Sequence, residues 1–326
     1  MTSFSMDSDV RSEYHALRST TGVHLLRRDV IRVFGRDAAS YLQGQCSQDI
    51  ESLSRPGAAG SGMAITADSL LLNPQGKIDA YLRVTRLDDD EFVLDTDEGF
   101  GEVVIARLER FRLRVQVELE LVPWVCMALR GPAAPGAVIG RPRLVLPVEW
   151  AGLAGVDLLG PGPTGGLAEW VGDQAVRCGD PSWEAARIEA GIPVNGREVT
   201  EGSIAAELGL VDRTVSFTKG CFTGQELVAR LDSRGSNVAR RLCGVVVEGL
   251  AVDRSVPVGA EVWTSDDEHQ VGRLSSVAWS PGSQSTVALA TVHRRVAPPE
   301  PVLLRWEDAG RSHAVPALSR PLPLVV

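Results

Sequence analysis

The run Thr218-Lys219-Gly220-Cys221-Phe222-Thr223-Gly224-Gln225-Glu226 brings a thiol, an ammonium group and two glycines together, and Leu227-Val228-Ala229-Arg230 follows. Thr223 with Glu226 three residues on has the form of a capping box, which predicts a helix starting at Gly224 or Gln225 and ending near Leu231. Cys221 then precedes a helix N-terminus, where outward N–H groups and the dipole favour negative charge. Lys219 lies two residues away, and both influences favour a thiolate. Glu226 opposes part of that gain. The expected thiol pKa is therefore below the reference of about 8.5, short of the extremes of redox enzymes. The glycines permit positive φ or close approach by a ligand. The plainer alternative is a buried cysteine packed beside a capped helix. Cys126 and Cys243 sit inside apolar runs and read as core; Cys46 and Cys178 are undecided, with packing favoured.

Lys-Gly-Cys-Phe-Thr-Gly-Gln-Glu resembles the signature of the YgfZ family, folate-dependent proteins that support iron–sulfur enzymes and tRNA modification. That family is similar in turn to the aminomethyltransferase (T-protein) of glycine cleavage, and the resemblance runs from Val30 to about Val292. It implies three domains in a ring around a central folate pocket. A partly disordered tail over 1–22 would precede two intertwined folate-binding domains over 23–237 and a C-terminal β-barrel over 238–326. It implies tetrahydrofolate, or a one-carbon derivative, beside Gly220, Phe222, Gly224 and Gln225. Arg187-Ile188-Glu189 matches a T-protein segment whose glutamate binds the pterin, a role that suits a carboxylate accepting two coplanar hydrogen bonds. By resemblance Glu189 takes that role, with Arg187 near the pterin or paired with Glu184. The competing reading of Glu189 is an ordinary exposed residue in a last helical turn. Asp79, in Asn73-Pro74-Gln75-Gly76-Lys77-Ile78-Asp79-Ala80, matches an aspartate that faces the folate. Strand alternation makes it equally an outward polar residue. Two departures stand out: Gln225 where T-protein has a cation, and Ala80 where it has a second acid. A thiol gained and a cation lost imply chemistry other than methylene transfer.

Elements must hold these residues in place. Val30 to Phe34 reads as a strand, and Asp37 as the cap of a helix ending near Gly44. Pro56 to Gly62 reads as a loop. Met63–Thr66, Leu70–Leu72, Ile78–Leu87 and Phe92–Asp95 read as strands, with a turn at Asn73–Gly76. Val104, Leu108 and Phe111 have helical spacing, and Val115 to Leu121 returns to strand alternation. Asp180 and Pro181 open a helix that Gly191 and Pro193 stop. Beyond Asn237 the pattern is strand after strand, as in a small barrel. The expected class is α+β on antiparallel sheets with a C-terminal all-β barrel.

Composition narrows the function. The 326 residues are 44% hydrophobic and 23% charged, as in a globular protein of more than one domain. No apolar run is long enough to span a bilayer, and the polar N-terminus has no signal-peptide pattern. Five widely spaced cysteines suggest reduced thiols in the cytoplasm. The net charge of −9 argues against nucleic-acid binding through the overall field. A tRNA contact would need a local basic surface such as Arg230, Arg234, Arg240 and Arg241 near Lys219. The five histidines lack metal-ligand spacing, and no metal site is expected. The leading expectation is a folate-binding accessory protein for iron–sulfur client enzymes, with Cys221, Lys219 and Asp79 carrying the chemistry. The alternatives are a folate-dependent one-carbon transferase and a tRNA- or client-binding module in which folate is structural.

Overall fold

The computed structural model describes residues 3–54, 63–164, 166–233, 237–248 and 256–325. The loop expected at 56–62, and Arg234, lie outside the described residues. The chain opens with α1 (Ser3–Ser19), β1 (Gly22–Leu26), β2 (Arg28–Phe34) and α2 (Ala38–Gln45). Then come β3 (Thr66–Leu72), β4 (Ile78–Asp88), β5 (Glu91–Asp97), α3 (Gly101–Glu109) and β6 (Glu118–Val122). The next stretch holds β7 (Trp124–Arg130), β8 (Leu144–Val148), β9 (Gly155–Pro161) and β10 (Val176–Arg177). Three helices follow, α4 (Asp180–Ala190), α5 (Val211–Thr214) and α6 (Gln225–Ser233). The last strands are β11 (Arg240–Val247), β12 (Glu261–Thr264), β13 (Gln270–Ser280), β14 (Ser285–His293), β15 (Glu300–Asp308) and β16 (Arg311–Arg320).

These strands form two five-stranded sheets and a closed barrel. The sheets run β10-β1-β7-β9-β8 and β3-β4-β5-β2-β6, and the barrel closes as β11-β14-β13-β12-β15-β16. Pairing is antiparallel except between β1 and β10. The chain places β1 in one sheet, builds the other from β2 to β6, and returns to the first with β7. The fold is α+β with a C-terminal barrel. Alternation along β4 buries Ala80, Leu82 and Val84 in a core shared with Tyr41 and Leu42 of α2 and Val104 and Leu108 of α3. The opposite face of β4 is thereby left to Tyr81 and Arg83.

The N-terminal segment departs from expectation. Where a partly disordered tail was expected over 1–22, α1 packs on α4. Val10, Tyr14 and Leu17 recur at helical spacing among the polar residues. Tyr14 and Leu17 are buried with Trp183, Ala185 and Ala186. Gly179 N–H and Ser182 Oγ both donate to Glu13 Oε2, at 2.9 and 2.7 Å, so an α1 side chain satisfies the start of α4. Gly179, rather than Asp180, is the N-cap. The other end follows the sequence: Gly191 caps it at φ 72°.

Candidate functional site

The segment around Cys221 is a loop anchored on both sides of the thiol, through Lys219 before it and Phe222, Thr223 and Gly224 after it. Lys219 Nζ donates to the carbonyl oxygens of Gln43 (2.5 Å), Cys46 (2.6 Å) and Gln48 (2.7 Å). Its three protons thus close the C-terminal end of α2, where carbonyls lack intrahelical partners. Burial holds the Lys219 pKa below the ordinary lysine value, and Cys46, Asp49 and Glu51 offset only part of that. Gly224, at φ +81°, lies against the Asn73–Gly76 turn: a Cβ there would fall 2.4 Å from Asn73 O. Phe222 packs against the core formed by Leu70, Leu72 and Val228, among others. Helix α6 starts at Gln225 as expected, but the capping differs. Phe222 N–H donates to Gln225 Oε1 (3.1 Å) and Thr223 N–H to Gly44 O (3.1 Å). Gln225 therefore does the work expected of the Thr223–Glu226 pair.

Cys221 itself is exposed, while the other four thiols are buried. Burial pushes Cys46 up to about 11 and Cys126, Cys178 and Cys243 up to about 12. Cys46 and Cys178 are thus packed thiols. Lys219 was expected to act on the thiol through its charge; its ammonium is instead directed at three carbonyls. Gly220, at φ +99°, gives the chain its turn into Cys221.

The residues matched to a folate site do not converge. Glu189 is buried between α1 and the barrel. Its Oε2 accepts from Tyr14 Oη (2.6 Å) and Arg18 Nη2 (2.5 Å), and its Oε1 from Ser280 Oγ. It is neither an exposed last-turn residue nor on the wall of the central cavity described below. Arg187 reaches that wall, but its five donors are taken. Nε and Nη2 bond Glu184 (3.0 and 2.7 Å), Nη2 also Ser276 Oγ (2.6 Å), and Nη1 bonds Ile192 O and Glu198 Oε2. Asp79 sits at a register shift where Leu71 pairs with Ala80 and Leu72 with Ile78. That bulge turns Asp79 toward α3, where Arg107 Nε donates to Oδ2 at 3.0 Å. Asp79 is accordingly a partner of a helix and not a cavity group.

The cavity, of about 550 Å³, opens between the two sheets and the start of α4. Trp150 and Trp183 form an aromatic wall, ring centroids 5.5 Å apart. His24 stacks on Trp183 at 4.7 Å, and the Arg130 guanidinium lies 4.9 and 5.3 Å from the two indoles. Tyr81 faces the same space, and its hydroxyl has no partner among the described residues. Burial raises the Tyr81 pKa, so the phenol stays neutral.

Part of the wall is an ionic layer, of which Arg28, Arg83, Asp97 and Asp157 line the cavity. Arg83 donates to Asp95 (2.9 and 3.0 Å) and to Asp157 (2.6 Å); Arg28 bonds Asp95 and Asp97 (2.9 Å each); Arg130 pairs with Asp157 at 2.8 Å. Burial alone would raise the Asp95 and Asp157 pKa values, but the arginines hold both below the usual carboxylate range. This layer joins β2, β4 and β5 of one sheet to β7 and β9 of the other. Sequence reasoning missed Tyr81, Arg83, Trp150, Asp157 and Trp183. A signal existed in charges inside apolar strand runs, as in Val156-Asp157-Leu158-Leu159 and Phe92-Val93-Leu94-Asp95. Such charges are rarely buried unless paired.

Among the described residues, no helix is long and apolar enough to cross a membrane, and no cluster of His, Cys, Asp or Glu is arranged to hold a metal ion. No protein-family model matches the chain. It is 27% identical over 217 residues to an uncharacterized protein of Haemophilus influenzae, covering 66% of this chain and 70% of that one. It is 26% identical over 329 residues to an aminomethyltransferase of Corynebacterium jeikeium, covering 86% and 80%. The crystal structure of glycine cleavage system aminomethyltransferase T from Bartonella henselae matches 97% of this chain and 89% of its own, with a TM-score of 0.79 at 21% identity. The chain therefore has the fold of aminomethyltransferase T, and its sequence relatives include proteins of that name.

Proposed function

We propose that the chain is a tetrahydrofolate-binding accessory protein of the YgfZ type, serving assembly or repair of iron–sulfur clusters in client enzymes, including ones that modify tRNA. The observation that carries folate binding is the central cavity. Its volume lies within the range of small-molecule sites. Its aromatic wall suits a flat pterin, and the free Tyr81 hydroxyl suits a polar ring edge. Arg27, on the rim, is exposed and its nearest acid, Glu98, is 4.0 Å away, which suits the glutamyl carboxylates of a folate tail. The cavity groups thus fit the cofactor, although they are not the ones the resemblance assigned. Tetrahydrofolate, when bound, carries one-carbon units. The protein's own residues stack the ring and hold its tail, and the ionic layer gives the cavity a charged wall.

Cys221 is the thiol offered to a client. Its exposure, and its place off the cavity wall, support contact with an outside cluster over attack on a carbon unit inside. Free thiols throughout fit a reducing cytoplasm. A direct tRNA contact is left to the exposed arginines Arg230, Arg240 and Arg241.

The second reading, a one-carbon transferase, is favoured by the relatives named aminomethyltransferase. Ala80 is fully buried in the core beneath α2 and α3, and Gln225 bonds its own loop, so neither supplies a charge to a substrate. Titration with 5-formyltetrahydrofolate, followed by tryptophan fluorescence, tests the cavity. Saturable quenching is expected, weakened about tenfold in Trp150→Leu, the scale of one lost stacking contact. Absence of binding at millimolar ligand would remove folate from the reading. Aminomethyl turnover of about 1 per second or faster would move the protein to the transferase class.

A further inference from the structure

The loop that carries Cys221 and the wall of the cavity share one short piece of backbone, residues 43–48. On one side this turn receives the loop. Ser216 N–H donates to Ser47 O (3.0 Å), Thr223 N–H to Gly44 O (3.1 Å), and Gln43 Nε2 to Lys219 O (3.4 Å). Lys219 Nζ binds three carbonyls of the same turn, one of them Gln48 O. On the other side Gln48 lines the cavity, and its Nε2 donates to the carbonyl of Arg213, also a lining residue, at 3.3 Å. Ser47 Oγ donates to Thr214 O at 2.6 Å, which ties the turn to α5 as well.

We propose that Lys219 is a positioning residue that couples the cavity to the thiol: a ligand pressing on Gln48 resets, through the Lys219 ammonium, how the loop presents Cys221. The proposal rests on the cavity reading above. It replaces activation of the thiol by a nearby charge with a mechanical link. Three charge-assisted bonds to one turn are short and mutually braced. They form a contiguous path between two sites that a ligand at either end biases reciprocally. Lysine suits the task because one compact ammonium reaches three carbonyls at once.

The test compares wild type, Lys219→Met and Lys219→Arg, each confirmed folded by its thermal melt. The rate of iodoacetamide labelling at Cys221 is measured with and without saturating 5-formyltetrahydrofolate, and ligand affinity is followed separately by tryptophan fluorescence. In wild type the ligand should change the labelling rate about fivefold or more, the lower end of ordinary coupling between sites. Lys219→Met should change ligand affinity by no more than the coupling it removes, about fivefold, yet bring that ratio to one, and Lys219→Arg should restore part of it. A general loosening of the fold would not remove the ratio while holding affinity within that factor. A ratio of one in wild type with binding demonstrated, or a full ratio in Lys219→Met, overturns the proposal. Without ligand, Lys219→Met should speed hydrogen exchange at Ser216 and Thr223 together. Unchanged exchange there refutes the positioning role on its own. Should the wild type bind no folate, the cavity reading fails, and the exchange result still decides whether Lys219 holds the loop.

Discussion

Cys221 should be the fastest-labelled thiol of the native protein by a wide margin, and the margin can be worked from the structure. Only the thiolate reacts at an appreciable rate. With Cys46 pushed up to about 11, roughly one molecule in a thousand carries that thiolate at pH 8. For Cys126, Cys178 and Cys243, pushed up to about 12, the fraction is roughly one in ten thousand. Free cysteine in water is about one quarter ionised at the same pH. Ionisation alone therefore holds the four buried thiols back by two to three orders of magnitude, and their inaccessibility slows them further. The assay is alkylation of the folded protein at several pH values, each site quantified by peptide mapping. Cys221 should be labelled at least about a hundredfold faster than any other site at pH 8. Labelling of Cys46 or Cys178 within tenfold of that rate, or labelling of Cys221 only after unfolding, would refute the view that this loop exists to present a thiol.

Three other outcomes follow from the packing. Glu189→Ala leaves Arg18, Tyr14 and Ser280 without their shared acceptor; it should cost about 3 kcal/mol in a urea titration while reduced-folate affinity stays within threefold. Gly224→Ala combines positive φ with a clash on Asn73 O and should cost about 2 kcal/mol or more, read from the thermal midpoint. Asp95 and Asp157 have folded-state pKa values below the unfolded value of 3.8, so their contribution is complete above that value and is lost as pH falls through the folded values. Buried His24, its pKa held below the ordinary histidine value by burial, should lower urea midpoints gradually below about pH 6.5, and the two carboxylates should add a second, separate drop below about pH 4; a midpoint flat from pH 4 to 3 would contradict the ionic layer.

Much of the fold was legible because its signals are local. Alternation at Ile78, Ala80, Leu82 and Val84, the Asn73–Gly76 turn, and the Pro181 and Gly191 limits of α4 are written in neighbouring residues, and the structure contains each of them. Helix α1 was hidden because its apolar stripe is sparse and its partner, α4, lies far along the chain. The bulge at Asp79 was illegible for a different reason: periodicity assigns faces only while register holds, and a single extra residue reverses the assignment. The ionic layer depends on partners from five strands, so no window of sequence contains it.

The motif around Cys221 was found from sequence, but its residues were given the wrong division of labour. Thr223 and Glu226 were read as a helix cap, Lys219 as directed at the thiol, and Gly224 and Gln225 as directed at a ligand. In the folded chain Lys219 is consumed by three carbonyls, Gln225 by the Phe222 amide, and Gly224 by contact with a turn. Phe222 is consumed by the core. These are the demands of a loop that must stay rigid without regular secondary structure, since every backbone group it withdraws from water needs a partner. A sequence can show that such residue types occur together; it cannot show which of them are already spent on one another. Subtracting the spent groups leaves Cys221 as the exposed reactive side chain of the run, held by a scaffold whose other attachment is the cavity wall. That subtraction is the physical reason to look for the chemistry at one atom, Cys221 Sγ, and for its control at the turn of residues 43–48.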